Sequence, residues 1–503
     1  MKKIKILLSL FLAITLCGCS NDTKTNKTLN AAMFWISTSL DPTNNYDGWV
    51  LSRIGVGETL FKLNEDYEVE NGLVKSYEQV DDTTWNMTLR DDVTFSNGKK
   101  VTGEDIKACL ERAFEKNTRA TDYFVLDHVE ASGQDFTIYL KTPSGAILNN
   151  LCEPLFTIYD TTQSDESIAT NPICTGPFVV DEFVAEKTID TRRNDHYYDG
   201  EAKLDHVHFI QVADSDARVF ALQSGEVDLA NTIDYSSLEL FRDNEDYQVL
   251  EVLGPRTNVV YMNNESIFLS DINIRKALSY SVDRENIVKL VGGQAATGLY
   301  SSALPYYEVQ TNYDFDLDKA NQILDEAGYI DTNQDGIREK DGQALILNYY
   351  ESADHGSADA NIIAQSLQSE ASKIGIQIQI NQVENVNDIK AAGTFDLCSA
   401  NDSTAPTGDP EVFLQARYLS TGSTNTGRYK NDQVDALIQN LSTTFDLNKR
   451  HELAMQANEM ILEDAANIYV SYVPLNTVTT SKVKGAICHP VDYYMITKDI
   501  DIQ

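Results

Sequence analysis

Cysteine is scarce in this chain, which carries seven cysteines in 503 residues. Cys17 and Cys19 lie near the start, and the remaining five are an odd number, so at least one has no partner within the chain. None belongs to a CxxC pair or to a close Cys/His cluster of the kind that binds zinc. The sequence therefore excludes a disulfide-rich scaffold, and we expect an apolar core to hold the fold.

Motifs of the common catalytic centres are also missing. The sequence contains no nucleophile elbow, HExxH pair, Walker loop or paired cysteine and histidine, and Gly55-Val56-Gly57 is only a fragment of a phosphate-binding loop. We therefore expect reversible binding and no catalysis. A hydrolase would be recognised by turnover of the bound ligand.

Basic residues are fewer than acidic ones in this chain. The chain has 40 Lys and Arg against 77 Asp and Glu, a formal net charge of −37. Partners that present phosphates require clustered Lys and Arg, so nucleic acid and anionic lipid are not expected partners. The acidity is compatible with solubility outside the cell, with a cationic ligand or with a positively charged docking surface.

One apolar run, residues 6–16, follows a basic start and is too short to span a bilayer as a mature helix. It ends in Leu16-Cys17-Gly18-Cys19, which resembles a bacterial lipobox and implies cleavage before Cys19 and a lipid on its sulfur. The alternative is a plain cysteine in a secreted protein. Residues 1–19 are thus expected to be a lipoprotein signal peptide and residues 20–28 a polar tether. The mature chain would then lie on the extracytoplasmic face of the cell membrane.

Helical and strand-like patterns alternate along the rest of the chain, which predicts α/β layers. Residues 84–90 alternate as in a half-buried strand, and Thr102 with Asp105 has the spacing of a capping box at the start of a helix. Residues 271–290 are predicted to form one helix. No linker rich in Pro, Gly or Ser interrupts residues 30–503, so we expect domains that pack together, with the chain crossing between them more than once.

An ordered set of segments carries a family resemblance; the segments are residues 57–61, 84–105, 174–178, 224–228 and 275–284. With them the chain resembles the extracytoplasmic substrate-binding proteins of ABC importers for oligopeptides and nickel. The resemblance implies a two-lobe, periplasmic-binding-protein-like α/β fold with an extra small subdomain in lobe I. It also places the family's opening helix at residues 57–61.

The resemblance further implies how the domains are arranged. Lobe I would span residues 29–259, with the small subdomain at about 62–172, lobe II residues 260–474, and residues 475–503 would return to lobe I. A monomer of this kind needs no cofactor, closes on a small ligand and delivers it to the permease and ATPase subunits of the importer. Closure is a shift between open and closed populations.

Two ligand classes remain open within the family. Residues 46–49, 404–410 and 489–494 look closer to the nickel-binding branch of Gram-positive bacteria. Nickel-chelate relatives often place an arginine where residues 155–158 stand here, and peptide binders often carry a tryptophan that residues 399–404 lack. The ligand is therefore expected to be either a nickel chelate or a short peptide.

A nickel chelate would need groups for its carboxylates, apolar walls and one imidazole for the metal. Arg53 and Arg256 are candidates for the carboxylates, with structural ion pairs as the alternative. The other candidates follow from the same resemblance: Tyr46, Trp49 and Tyr494 as walls or ordinary core residues, and His489 and His355 as metal ligands or plain surface histidines. For a peptide, Asp409 would hold the N-terminal ammonium, unless it is a turn residue.

Residues 331–339 copy the first nine positions of a calcium loop, with oxygens on Asp331, Asn333, Asp335 and Glu339. Position twelve is Gly342, where a bidentate glutamate should stand, so a surface loop is the alternative to a structural calcium site. His206 and His208 share one strand face and are expected to be solvated. A sensor that presents a peptide signal to a membrane receptor is the alternative to the importer.

Overall fold

The structure is a computed structural model, and it describes residues 26–352 and 358–503. Its strands, in chain order, are β1 (Thr28–Met33), β2 (Phe61–Leu63), β3 (Val69–Asn71), β4 (Val74–Asp81), β5 (Thr84–Leu89), β6 (Leu126–Ser132), β7 (Asp135–Leu140), β8 (Phe178–Val184), β9 (Thr188–Arg193), β10 (His206–Gln211), β11 (Leu229–Asn231), β12 (Tyr247–Met262), β13 (Gln294–Ala295), β14 (Glu339–Lys340), β15 (Gln343–Ala344), β16 (Ile346–Ser352), β17 (Gln377–Val383), β18 (Leu397–Ser403), β19 (Asn467–Thr480), β20 (Val483–Lys484) and β21 (Asp501–Ile502).

The helices alternate with these strands. They are α1 (Asp47–Arg53), α2 (Gly103–Lys116), α3 (Ala120–Tyr123), α4 (Ile147–Asn150), α5 (Asp165–Thr170), α6 (Ser215–Ser224), α7 (Tyr235–Arg242), α8 (Ile272–Tyr280), α9 (Arg284–Val291), α10 (Leu317–Glu326), α11 (Ala358–Lys373), α12 (Val386–Ala392), α13 (Glu411–Tyr418), α14 (Asp432–Ser442) and α15 (Leu447–Glu463).

One large sheet runs through both lobes. Its eleven strands follow the order β17-β16-β18-β12-β19-β11-β1-β10-β9-β8, with β13 paired to β19. The strands from β11 to β8 belong to lobe I, whereas β16, β17 and β18 belong to lobe II. The predicted two-lobe α/β fold is confirmed, and the long antiparallel pair of β12 and β19 is the structural element that both lobes share.

The two shared strands change partners near their middle. The register between β12 and β19 breaks between Leu253 and Thr257, and β12 pairs with β18 from Arg256 onward. At the break, a Cβ on Gly254 would lie 2.6 Å from the carbonyl oxygen of Pro490. Only glycine allows the returning C-terminal segment to approach this closely. The break falls a few residues before the predicted lobe boundary at 259/260.

The small subdomain of lobe I is an antiparallel sheet in the order β4-β5-β7-β6, with α2 packed against β6. The predicted capping box opens α2. The Asp105 carboxylate accepts hydrogen bonds from Thr102 N at 2.9 Å and Thr102 Oγ1 at 2.8 Å. Local sequence therefore sets the start of this helix.

Two predicted elements differ from the structure. The single helix expected at residues 271–290 is two helices, α8 and α9. The Asp283 carboxylate interrupts the helix because it accepts a hydrogen bond from Asn286 N at 3.0 Å and caps the start of α9. Residues 57–61 are not helical but lead into β2, and the opening helix of the described chain is α1.

The state of the cysteines and the length of the helices agree with what the sequence predicts. Cys109, Cys152, Cys174 and Cys398 are buried free thiols, and Cys488 is a half-buried one. Within residues 26–352 and 358–503, no helix combines the length and apolarity that crossing a membrane would require. Cys19 and the predicted signal peptide lie outside the described residues.

Candidate functional site

A cleft of about 460 Å³ lies between the lobes, beside the break in β12. Lobe I contributes mainly aromatic and basic side chains, and lobe II contributes polar and apolar ones. The side chains that line it include Phe34, Tyr46, Trp49, Arg53, Arg119, Asp122, Arg256, Asn401, Asp402 and Arg417. A volume of this size suits a small ligand, since ligand pockets commonly measure about 300–1,000 Å³.

The aromatic wall is built on α1. The Trp49 indole Nε1 donates to Glu153 Oε1 at 2.7 Å, and the ring packs edge-on against Tyr46 and Tyr493 at centroid distances of 5.5 and 5.3 Å. The buried Glu153 therefore fixes the orientation of the indole. The structure places the predicted wall residues Tyr46 and Trp49 in the cleft.

Arg53 ends α1 and is 1% exposed, yet its guanidinium is only partly satisfied. Nε donates to the Asp492 carbonyl oxygen at 2.9 Å and Nη2 to Asp492 Oδ2 at 2.6 Å. Nη1 is buried and has no hydrogen-bond partner among the residues that the structure describes. An unsatisfied buried donor destabilises the folded protein by about 1–3 kcal/mol. A ligand with an acceptor at this position would remove that cost and bind more tightly.

Arg256 lies at the break in β12 and touches both lobes. Its Nη2 is 3.6 Å from Asp492 Oδ2 in the returning segment, and its Nη1 donates to Asn401 Oδ1 of lobe II at 3.2 Å. One Asp492 carboxylate therefore serves two guanidinium groups, Arg53 and Arg256. It cannot neutralise both.

Two further arginines in the cleft were not predicted. Arg119 lies 3.6 Å from the Tyr46 ring centroid and donates from Nη2 to Glu153 Oε1 at 3.3 Å. Arg417 on α13 donates from Nη2 to Asp402 Oδ1 at 3.1 Å. Nickel-chelate relatives often place an arginine where residues 155–158 stand, and here Arg119 supplies a positive charge beside Glu153. No local motif marks either residue, because each reaches the cleft only through tertiary packing.

The lobes come together at the edge of the cleft. Asp122 on α3 of lobe I lies beside Ser423 of lobe II. Burial raises the pKa of Asp122, while a hydrogen bond from Ser423 and the charge of Arg119 oppose this shift. Among the described residues that line the cleft are four arginines and two aspartates, Asp122 and Asp402. Asp492 and Glu153 contact three of these arginines, so the charges are close to balance. The unsatisfied Arg53 Nη1 still favours a ligand with a hydrogen-bond acceptor, such as a carboxylate.

Two predicted site residues lie elsewhere. Tyr494 and His489 line a separate cavity of about 560 Å³ within lobe I. The Tyr494 hydroxyl accepts from Leu63 N at 3.3 Å, and the His489 ring packs edge-on against Tyr494 at 4.8 Å. Burial lowers the pKa of His489 to about 4, so this imidazole is neutral at neutral pH. The cavity does not open between the lobes.

The structure also places Asp409 away from the cleft wall. Its carboxylate accepts from Arg450 Nε at 2.9 Å and from Nη2 at 2.6 Å, and Asp409 is 3% exposed. Arg450 also pairs with Glu411 at 2.7 Å. Because Asp409 is buried against Arg450, its carboxylate is not presented to a peptide ammonium in the cleft. The predicted alternative was a turn residue, and the structure shows a buried ion pair instead.

The predicted metal sites gain no support from the described geometry. His355 lies outside the described residues, and within them no cluster of three or more His, Cys, Asp or Glu could hold a metal. In the loop at 331–339, the Asp331 carboxylate accepts from Gln334 N at 2.7 Å and Gly336 N at 2.9 Å. Glu339 accepts from Thr332 N at 2.9 Å. Calcium binding there stays a prediction.

Comparison with known proteins identifies the architecture. The model of the bacterial extracellular solute-binding proteins, family 5 (middle), matches residues 68–425. The chain belongs to family 5. It is 29% identical to the nickel-binding protein NikA of Staphylococcus aureus over 499 residues, which are 98% of each chain. It is 26% identical to the oligopeptide-binding protein AppA of Bacillus subtilis over 469 residues, 87% of this chain and 85% of AppA.

Solved structures agree with this assignment. NikA from Staphylococcus aureus in complex with Ni(L-His)2 superposes with a TM-score of 0.83 at 27% identity, covering 95% of this chain and 100% of NikA. A nickel ABC transporter structure from Bacillus halodurans gives a TM-score of 0.78 at 31% identity, with the same coverage. The predicted family is confirmed. Family 5 proteins bind solutes for transport, and the chain is not an enzyme.

We expect Asp409→Ala to reduce the free energy of unfolding by about 3 kcal/mol, because it leaves Arg450 buried with only part of its charge neutralised. Chemical denaturation measures this loss. Glu452→Ala removes an exposed pair with Lys449 and serves as the control, which should change stability by about 0.5 kcal/mol or less. A stable Asp409→Ala variant that no longer binds peptides would instead establish Asp409 as the ammonium clamp.

Proposed function

We propose that this family 5 protein captures a carboxylate-bearing nickel chelate between its lobes and delivers it to the permease and ATPase subunits of an ABC importer. The buried, unpartnered Nη1 of Arg53 in the cleft wall carries the proposal. Arginine binds carboxylates in a bidentate manner, and Arg53 and Arg256 share a single carboxylate, Asp492. The nickel complexes named for NikA and for its solved structure support the choice of ligand.

The composition of the cleft favours a finished chelate over the bare ion. No histidine, cysteine or methionine is found among the described residues that line it. Nickel prefers imidazole and other nitrogen ligands, so most of its coordination would come from the chelating molecule. The Trp49 and Tyr46 rings would pack against that molecule, and Arg53 and Arg256 would bind its carboxylates. A short peptide is the alternative ligand, supported by the similarity to AppA.

Ligand binding would stabilise the closed arrangement. Arg256 contacts Asp492 of the returning segment and Asn401 of lobe II. Because the closed form buries the ligand between both lobes, the ligand shifts the population toward closure by its differential affinity for that form. The importer would then recognise the closed protein, which we propose acts as a monomer.

Arg53→Met tests the site. We expect the wild type to bind Ni(L-His)2 and not hydrated nickel chloride, and we expect Arg53→Met to weaken chelate binding at least about tenfold, because a charge-assisted hydrogen bond is lost. Isothermal titration calorimetry measures both affinities, and native mass spectrometry identifies the bound mass.

Arg242→Met is the matched control, since Arg242 pairs with Glu251 on the surface of lobe I. Arg53→Lys keeps the charge at the buried site. It serves as a second variant in case Arg53→Met fails to fold. Unchanged chelate affinity in a folded Arg53→Met protein would contradict the proposal. A series of bound peptide masses without nickel would establish the peptide alternative.

His355 is the remaining candidate for a metal-side imidazole. We propose that it adds one imidazole to the nickel coordination in the closed complex, whereas His489 does not, because it lines the separate cavity within lobe I. X-ray absorption of the nickel complex should then show one imidazole fewer in His355→Ala and no change in His489→Ala. Identical spectra for the wild type and His355→Ala would show that the chelate alone coordinates the metal.

We propose that a lipid on Cys19 anchors the protein to the cell membrane. A Cys19→Ser strain should release the protein into the medium and take up less nickel, because the captured ligand is no longer held near the permease. Fractionation and nickel uptake assays measure both effects. Retention of the Cys19→Ser protein on the membrane would contradict the anchor. Normal uptake with altered gene expression in a deletion strain would favour the peptide-signal sensor.

A further inference from the structure

A second cavity of about 860 Å³ lies in lobe II beside the interlobe cleft. We name this cavity the annex. It shares Asp402, Arg417 and Thr424 with the cleft, so the two cavities adjoin at these side chains. Its walls carry several hydroxyl groups, from Ser420, Thr421, Ser423, Thr424 and Thr426. The cleft alone is already large enough for a small chelate, so the annex provides room that such a ligand leaves unused.

Four cations line the annex, and two of them are balanced. Lys430 pairs with Glu265 at 2.5 Å, and Arg417 pairs with Asp402 at 3.1 Å. These two carboxylates are the only acidic side chains among the described lining residues of the annex.

The other two cations form no ion pair within the described residues, although, beside the hydrogen bond from Lys430, the charge of Arg428 helps to lower the pKa of the Glu265 carboxyl. Lys390 on α12 donates from Nζ to the Ser399 carbonyl oxygen at 3.1 Å. Arg428 donates from Nη2 to the Ala391 carbonyl oxygen at 2.7 Å. Neither forms an ion pair with a carboxylate anywhere in the described part of the chain. Both are half-buried, so solvent screens their charges incompletely.

Unbalanced positive charge in a hydroxyl-lined cavity is notable in a chain whose net charge is −37. Fixed cations and hydroxyl donors together suit a carboxylate, which accepts hydrogen bonds from both. We infer that the transported ligand is longer than a simple amino-acid chelate and places a second anionic group, a carboxylate, in the annex against Lys390 and Arg428. This inference rests on the proposed function, since the chelate itself would occupy the cleft.

The test compares nickel complexes of the dipeptides His-Glu and His-Gln. Both hold nickel through the same amine and imidazole, and they differ in one carboxylate. We expect the wild type to bind the His-Glu complex about tenfold more tightly, the gain of one charge-assisted contact. Lys390→Met and Arg428→Met should each reduce this preference, and the double variant should abolish it. Calorimetry with each complex, and with Ni(L-His)2, gives the affinities.

Lys390→Arg keeps the charge and should keep the preference. Lys373→Met, on α11 of the same lobe, removes a lysine that pairs with Glu370 and should also keep it. Equal wild-type affinity for the two dipeptide complexes would overturn the inference, as would a preference that survives in the double variant. If either result were obtained while Ni(L-His)2 still bound normally, only the inference about the annex would fail. The proposed capture of a nickel chelate would be unaffected. Binding of none of the three complexes would overturn both.

Discussion

The Asp492 carboxylate between Arg53 and Arg256 is the interaction on which the site depends. It joins the end of α1, the returning C-terminal segment and the crossing strand β12. Because one carboxylate faces two guanidinium groups, positive charge remains in a partly buried cleft. A ligand that brings its own carboxylate completes the arrangement. A local positive charge thus lies within a chain whose formal net charge is −37.

The paired strands β12 and β19 connect this interaction to both lobes. They run through both lobes as one antiparallel pair, and their register breaks beside Arg256. Gly254 lets the returning segment approach the break, which brings Asp492 close to Arg256. We therefore expect the contacts of Arg256 with Asp492 and Asn401 to differ between the open and the closed form. The wall residues Tyr46 and Trp49 supply surface for the ligand, while the arginines determine its charge.

The sequence predicted the fold well because family segments such as residues 275–284 are local and keep their order. It also identified Tyr46, Trp49, Arg53 and Arg256 as residues that reach the cleft.

The remaining cleft residues depend on distant packing. Arg119 and Arg417 come from separate lobes, and no local pattern links them. Tyr494 and His489 belong to the expected segment but face into lobe I. Asp409 is bound by Arg450, which lies 41 residues further along the chain. Adjacency in sequence does not determine which wall a side chain faces. The cap formed by the Asp283 side chain likewise separates α8 from α9, where one continuous helix was predicted.

Small-angle X-ray scattering of the wild type and Arg256→Met, each with saturating Ni(L-His)2, tests most directly whether the arginine pair couples binding to closure. We predict that the radius of gyration of the wild type falls on binding. That of Arg256→Met should stay near its ligand-free value, because the link between Asp492 and Asn401 is gone. An equal decrease in the variant would contradict this prediction.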